Sequence, residues 1–230
     1  FMQWEDEGFL LTKNKFSENS LIVEIFTLSH GKSSGLVYGG TSRKIKNYLQ
    51  VGNKIYAKLK AKNDNKLGYF QIEIIDAISP LFFNDYQKLN CLLSSVNILK
   101  TTLPESQSYK KIYTSYESFL NKLKFNDNWI FDYIFWEVDL LKELGFDINL
   151  KSSSLDKYDD SNGMFSLTID NEEKKLPVFL INRNIDNIDN RYIYIALNFL
   201  STFLEKNILI PNNLSYSRAR KKLENYFRNY

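Results

Sequence analysis

The chain has 230 residues, of which 43% are hydrophobic and 15% aromatic, and its formal net charge at pH 7 is +3. This length and apolar content predict a substantial core in one large or two small domains. The single cysteine, Cys91, and the single histidine, His30, exclude an internal disulfide and a zinc site built from four Cys and His ligands. Cys91 falls in a predicted helix and His30 in a predicted turn, so we expect neither a reactive thiol nor a catalytic base.

Three classes of protein are not expected from these features. No stretch approaches the roughly 18 apolar residues of a membrane span, and the acidic segment 2–7 lacks a signal-peptide pattern. We therefore expect a cytoplasmic protein with no membrane partner. The chain also lacks a nucleophile–base pair, a phosphate-binding loop and a soft-metal cluster, so an enzyme is not expected.

The first 80 residues are typical of β structure, with turn signals at His30-Gly31, Val51-Gly52-Asn53 and Asn63-Asp64-Asn65. The predicted strands cover residues 8–12, 20–27, 32–38, 53–61 and 69–75. Five short strands without an intervening helix predict a small closed barrel of the OB or SH3 kind.

From residue 81 the apolar spacing changes to three and four residues, which predicts helices at 86–99, 109–123, 129–144, about 188–206 and 215–228. A polar segment at about 151–190 interrupts them, and residues 164–169 within it are a candidate strand of a small hairpin. The predicted class is therefore α+β. We expect a five-stranded closed barrel of the OB or SH3 kind in residues 1–80 and an all-helical domain, with a small irregular or β insertion, in residues 81–230.

Positive charge is concentrated in residues 32–66, which hold nine basic side chains and one acidic side chain, Asp64. The local net charge is +8, so the remainder of the chain sums to −5. Segregated charge of this kind most often binds nucleic acid, because each neutralised phosphate releases a condensed counterion. A solvated lysine-rich surface is the alternative. The predicted DNA-binding residues are Lys32, Arg43, Lys44, Lys46, Lys54, Lys58, Lys60 and Lys62.

Within this region, the segment Gly39-Gly40-Thr41-Ser42-Arg43-Lys44-Ile45-Lys46 is interpreted as a flexible loop at the rim of the barrel. Its paired glycines let the backbone approach a ligand closely, and three cations follow within four residues. The spacing is not that of a phosphate-binding P-loop. The segment predicts a phosphate clamp, and a mobile hairpin loop is the alternative.

The fourth predicted strand alternates, so that Lys54, Lys58 and Lys60 share one face with Tyr56. Such a row of cations can follow a nucleic-acid backbone, and aromatic rings beside it can stack on bases. Tyr38 and Tyr56 are the predicted stacking residues. Tyr48 and Phe70 are further candidates, and ordinary core or surface packing is the alternative for each of the four.

The last predicted helix is also basic, and it suggests a secondary basic face formed by Arg218, Arg220, Lys221 and Lys222. Such a face can be a second phosphate contact, a protein-docking surface or a solvated surface. The pattern leaves these three possibilities open.

Several motifs occur in a fixed order: Met2-Gln3-Trp4-Glu5-Asp6-Glu7-Gly8, Gly35-Leu36-Val37-Tyr38-Gly39-Gly40-Thr41-Ser42-Arg43-Lys44 and Glu143-Leu144-Gly145-Phe146. Together they resemble the RecO family of bacterial recombination mediators, in particular its alphaproteobacterial members. The resemblance covers most of residues 2–150, and beyond that it rests on helical pattern and length.

This resemblance implies an N-terminal OB-fold and a helical domain. It also implies binding of single- and double-stranded DNA and annealing of complementary strands. The implied partners are RecR, the acidic C-terminal tail of the single-strand binding protein SSB and, indirectly, RecA, which is loaded onto SSB-coated DNA. The DNA-binding role carries over most directly to Arg43, Lys44 and Lys46.

One feature departs from the family. Many relatives carry a four-cysteine zinc site after the Leu-Gly-Phe helix, whereas this chain has Ser152-Ser153-Ser154-Leu155-Asp156 there and no cysteine. Zinc is therefore not expected, nor is any other cofactor.

We therefore predict a non-enzymatic mediator of DNA repair and recombination. The cationic barrel face would neutralise the phosphates of two strands, and an apolar groove rimmed with cations in the helical domain would receive an acidic partner tail. Two alternatives remain open. One is a protein–protein adaptor that binds acidic tails without DNA, and the other is an RNA-associated OB-fold protein, which would prefer a 2′-hydroxyl.

Overall fold

The structure, a computed structural model, describes residues 2–62, 67–150, 158–159 and 163–228. The chain divides into two compact units, Phe1–Glu117 and Ser118–Tyr230. The domain boundary at residue 80 follows the change from strands to helices in the sequence and stays a prediction. The predicted turn at residues 63–65, Lys66 and the serine-rich segment 152–156 lie outside the described residues.

Five strands of the first unit close into a barrel with the order β1-β2-β3-β5-β4. In β4, the side chains of Ile55, Ala57 and Leu59 point into the barrel and are buried, as the alternation predicted. The five-stranded barrel followed by helices confirms the predicted α+β class. The elements are β1 Met2–Lys15, β2 Ser20–Thr27, β3 Gly31–Tyr38, a short helix α1 Arg43–Tyr48, β4 Lys54–Ala61 and β5 Gly68–Asp76.

The barrel closes between β3 and β5, which pair in parallel at only two positions, Gly35 with Gly68 and Leu36 with Tyr69. We call this the β3–β5 seam. Glycine is required on both strands: a Cβ on Gly35 would lie 2.5 Å from the Phe70 ring, and one on Gly68 would lie 2.9 Å from a backbone oxygen of β4. The strands can therefore approach closely enough to close the barrel.

The first unit continues with a 3-10 turn, Ser79–Phe82, and then α2, Tyr86–Thr102; α3, Lys110–Phe125, begins in this unit. The Phe9 ring of β1 packs against Tyr113 and Tyr116 of α3, at centroid distances of 5.2 and 5.0 Å. Cys91 lies in α2, in agreement with its predicted place in a helix, and it is fully buried.

The second unit combines helices with a three-stranded sheet of order β6-β7-β8. The predicted strand 164–169 coincides with β7, so the small β insertion in the helical region is confirmed. The long helices bury apolar faces, such as Ile134 of α4, Leu197 of α6 and Leu223 of α7. The elements are α4 Trp129–Glu143, β6 Tyr158–Asp159, β7 Met164–Ile169, β8 Glu172–Pro177, α5 Phe179–Asn182, α6 Asn190–Leu204 and α7 Arg218–Arg228.

Helical structure continues past α6 through a π turn, Glu205–Leu209, and a 3-10 turn, Ile210–Asn212. By length and composition alone, Asn190–Asn212 could cross a membrane, whereas the sequence analysis expected no stretch to approach that limit. Ile193, Leu197 and Leu200 on this helix are buried within the unit. A core helix of a globular domain meets the same criterion, so the stretch alone is not evidence for a membrane partner.

Two elements of the barrel differ from the prediction. The interpretation of residues 39–46 as one flexible loop was wrong, because a helix begins at Arg43: the Ser42 side chain accepts a hydrogen bond from the Ile45 N–H, and Ile45 packs against the barrel. In addition, β1 begins at Met2 and pairs with β4 along the whole acidic segment that precedes Gly8.

Candidate nucleic-acid interface

Helix α1 presents three exposed cations, Arg43, Lys44 and Lys46. Its other side is attached to the barrel, because Ile45 and Tyr48 pack against the barrel core. None of the three cations forms an ion pair with another residue in the described ranges. Their charge is therefore not neutralised from within the described part of the protein and is available to an external anion.

A fourth cation, Lys13 of β1, reaches the end of the same helix. Its Nζ donates hydrogen bonds to the backbone oxygen of Leu49 at 2.6 Å and to the Gln50 Oε1 at 3.3 Å. Burial lowers the pKa of Lys13, and the nearby Lys46 lowers it further. The ammonium group thus satisfies a carbonyl at the C-terminal end of α1, where a positive charge is favoured.

We call Lys13, Arg43, Lys44 and Lys46 together the α1 patch. Three of these residues were predicted from the sequence, but Lys13 was missed, because it is 36 positions from its acceptor in the chain. No local pattern connects the two, since only the barrel fold brings the end of β1 beside the end of α1.

The outer face of β1, β4 and β5 changes charge along its length. Residues in register on the three strands form successive rows, because partners on adjacent strands point to the same side. The net charge falls from +1 to 0 to −2 across three rows. These rows are Gln3 with Lys60 and Tyr69, Glu5 with Lys58 and Gln71, and Glu7 with Tyr56 and Glu73.

The two lysines nearest the acidic end are already paired. Lys54 Nζ lies 3.0 Å from the Glu7 Oε2 and 2.6 Å from the Glu117 Oε1, and its side chain is only 14% exposed. Burial alone would lower the pKa of Lys54, but the two carboxylates outweigh it and raise the pKa. Lys58 Nζ lies 3.1 Å from the Glu5 Oε2. The predicted row of lysines on β4 is therefore divided: Lys54 and Lys58 are paired, whereas Lys60, and the exposed Lys62 just after the strand, have no ion pair within the described residues.

The predicted stacking residues differ in accessibility. Tyr38, at the end of β3, is 63% exposed. Tyr56 is half-buried, and the Lys58 ammonium lies 5.6 Å from the centre of its ring. Of the further candidates, Tyr48 packs partly buried on the barrel core and Phe70 belongs to that core. Tyr69 was not predicted from the sequence; it is 39% exposed, and its ring centroid lies 5.9 Å from that of Tyr38.

Lys32 has a structural contact of its own. Its Nζ donates a hydrogen bond of 2.9 Å to the backbone oxygen of Lys100, in the last turn of α2. As with Lys13, the charge lies where a helix end favours a cation. Lys32 is therefore not a member of the α1 patch, and its role in DNA binding stays a prediction.

Arg220 does not belong to the exposed basic face predicted for the last helix, which is a correction to the sequence analysis. Its side chain is 1% exposed, and its Nη1 lies 2.6 Å from the Glu137 Oε1 and 2.7 Å from the Tyr133 hydroxyl. Its Nε lies 3.0 Å from the Glu224 Oε1. Burial alone would lower the pKa of Arg220, but Glu137 and its other neighbours raise it. The remaining members, Arg218, Lys221 and Lys222, are exposed.

The second unit also contains an apolar groove between β8 and α6, with a cavity volume of about 260 Å³. We call it the α6 groove. Its walls include Leu176, Ile195 and Phe199. Its rim carries three lysines and two carboxylates: Lys174 pairs with Glu172, Lys206 pairs with Asp170, and Lys175 is exposed.

The remaining candidates for a chemical centre are a cluster of metal ligands and the single histidine. In the parts of the chain that the structure describes, no three His, Cys, Asp or Glu side chains are grouped to hold a metal ion. The His30 ring stacks on Trp4 at 4.2 Å, and its Nδ1 lies 3.1 Å from the Asp6 Oδ2.

Comparison with known proteins identifies the family. Residues 2–78 match the model for the N-terminal domain of recombination protein O, and residues 84–214 match the model for its C-terminal domain. A DNA repair protein RecO of Wolbachia pipientis from Culex pipiens is 28% identical over 95% of this chain and 97% of its own length. RecO of Roseobacter denitrificans is 32% identical over 67% of this chain, which spans 64% of that relative. RecO of Cereibacter sphaeroides is 36% identical over 65% of this chain and 62% of its own length. The chain therefore belongs to the RecO family of DNA repair proteins.

Proposed function

We propose that this protein is a non-catalytic mediator of homologous recombination that binds single- and double-stranded DNA and anneals complementary strands. With RecR, it helps to load RecA onto DNA coated by SSB. The observation that carries the proposal is the α1 patch, whose three exposed cations have no ion pair within the described residues. Family membership supports the same direction.

The distribution of charge suggests a path for the DNA. Phosphates would contact Arg43, Lys44 and Lys46 and continue to Lys60 and Lys62, since these cations have no ion pair in the part of the chain that the structure describes. The opposite end of the outer face, with Glu7 and Glu73, repels a polyanion. When two complementary strands occupy such a surface, their mutual repulsion falls because their phosphates are partly neutralised, and pairing becomes faster.

The test compares two triple variants with the same change in charge. The first, Arg43→Ala with Lys44→Ala and Lys46→Ala, removes the exposed cations of α1. The second, Arg218→Ala with Lys221→Ala and Lys222→Ala, removes three exposed cations of α7 and is the matched control. Affinity for labelled oligonucleotides, and the rate of annealing with and without SSB, are measured across a salt series.

The α1 variant should bind DNA more weakly and anneal strands more slowly. Its plot of log affinity against log salt should flatten by about 2–3, because each of the three lost phosphate contacts removes roughly 0.7–0.9 from the slope. The α7 variant should retain the wild-type slope. An equal loss of DNA affinity in both variants would indicate binding by cationic surfaces in general rather than by α1. Unchanged DNA affinity in the α1 variant would contradict the proposal.

Two other outcomes would favour the alternatives. If the wild-type protein binds an acidic tail but no oligonucleotide at low salt, the adaptor function is correct. If an RNA oligonucleotide displaces DNA of the same sequence, the protein prefers the 2′-hydroxyl and is an RNA binder.

The α6 groove supports the proposed docking of the SSB tail. It combines an apolar floor at Leu176 and Phe199 with a lysine-rich rim, and an acidic peptide with an apolar end matches both features. Because Lys174 and Lys206 are paired with rim carboxylates, Lys175 is the rim lysine most available to the tail. Lys175→Glu should weaken binding of a labelled SSB-tail peptide about fivefold, whereas Lys222→Glu on α7 should not. If both variants bind the peptide equally well, the tail does not bind in the α6 groove.

A further inference from the structure

Two tyrosines form an exposed aromatic surface across the β3–β5 seam. Leu36 and Tyr69 are ladder partners, so Tyr69 faces outward on β5 beside Tyr38, which is two residues beyond Leu36 on β3. The two residues are 63% and 39% exposed, and their rings have centroids 5.9 Å apart and planes inclined by 56°. We call Tyr38 and Tyr69 the tyrosine platform.

Positively charged side chains, which can contact phosphates, border this platform. Lys60 is the register partner of Tyr69 on β4, so its side chain lies on the same outer face. Lys60 has no ion pair within the described residues, unlike Lys54 and Lys58 further along the strand. On the other side, Tyr38 is followed after four residues by Arg43 of the α1 patch.

This combination matches the chemistry of a single strand of nucleic acid. Aromatic rings stack on unpaired bases, while neighbouring cations contact the phosphates between them. In a duplex the base faces are already stacked on one another, so exposed rings gain little from it. A surface made only of lysines has no such preference, because it contacts phosphates alone.

We infer that the tyrosine platform is a base-stacking subsite that gives the barrel its preference for single-stranded over double-stranded DNA. The inference rests on the proposed DNA-binding function and adds the residues that discriminate between its two substrates. Stacking uses the flat faces of the bases and leaves their pairing edges free. A strand held in this way can still pair with its complement, which is what annealing requires.

The experiment uses three probes of equal length, ~20 nucleotides, which exceeds the site of one OB-fold. They are oligothymidine, a duplex, and an abasic strand that retains the phosphates but has no bases. The test variant is Tyr38→Leu with Tyr69→Leu, which keeps apolar bulk and removes the rings. Tyr38→Phe with Tyr69→Phe keeps the rings, and Tyr86→Leu removes an exposed tyrosine outside the platform. Thermal unfolding checks that each variant is folded.

The leucine pair should bind oligothymidine about tenfold more weakly, the low end of what stacking contributes, with less than twofold change for the duplex and the abasic strand. The phenylalanine pair and Tyr86→Leu should bind all three probes like the wild type. An equal loss on all probes, or no loss on oligothymidine, would overturn the inference while leaving the proposed function intact. If the wild-type protein binds none of the probes, the proposed function and the inference both fail.

Discussion

The three cations of α1 and Arg220 of α7 show that basic residues in similar segments can have opposite roles. Arg43, Lys44 and Lys46 are exposed and have no ion pair within the described residues, so their charge faces solvent. Arg220 lies in an equally basic segment but is buried and bonded to Glu137 and Glu224. A count of basic residues therefore does not locate a binding surface, because the carboxylates that neutralise a cation can come from distant parts of the chain.

The largest expected effect is on stability and concerns Arg220, the buried cation in this comparison. Arg220→Met should lower the free energy of unfolding by about 3–5 kcal/mol, because Glu137 would remain buried without its partner. Lys221→Met, on the next and exposed residue, should change it by less than about 0.5 kcal/mol. Urea unfolding measures both. A second variant, Arg220→Met with Glu137→Leu, should recover stability, and failure to do so would show that the cost lies in packing.

The comparison can be sharpened within a single strand, β4. Lys54→Met should lower stability by about 1–2 kcal/mol, since a mostly buried ammonium bonded to two carboxylates is lost. DNA affinity should not change. Lys60→Met should have the opposite result: unchanged stability and a salt slope reduced by about 1. A loss of DNA affinity in the Lys54 variant would mean that its ion pairs open when DNA binds.

The smallest effect concerns Lys13, which is partly buried and, like Arg220, hydrogen-bonded, but belongs to the α1 patch. Lys13→Met should cost about 0.5 kcal/mol of stability, because a helix end loses a favourable charge. DNA affinity should fall less than in the triple α1 variant. Lys13→Arg, which keeps the charge, is the control. If Lys13→Met weakens DNA binding as much as the triple variant, the ordering of α1 contributes more than its three exposed charges.

Much of the barrel could be predicted from the sequence. The second strand, Ser20–Thr27, was predicted with its observed bounds, because alternating apolar residues and flanking turns define it. Helix α1 was missed because six residues are too few to show a helical period. The start of β1 was missed because Glu5 and Glu7 hide its alternation, and their β4 partners, Lys58 and Tyr56, are identified only by the register.

The candidate site was less predictable than the fold, although some signals were present. Arg220, Leu223 and Phe227 are spaced three and four residues apart, which places the arginine on the apolar face of α7. The same reasoning places Glu137 on the apolar face of α4, in phase with Ile134 and Leu141. Nothing in the local sequence indicates that Tyr69 lies beside Tyr38, because their proximity depends on how the barrel closes.

The β3–β5 seam has a consequence for the integrity of the barrel. Two residue pairs join these strands, whereas β1 and β4 share eight, so this is the joint with the least backbone bonding. The two rings of the tyrosine platform belong to opposite sides of that joint. A strand stacked on both rings would brace the barrel where it is weakest. Binding of nucleic acid to the platform would then be linked to closure of the barrel. A strand that binds both tyrosines would stabilise the closed barrel, because it holds β3 and β5 together.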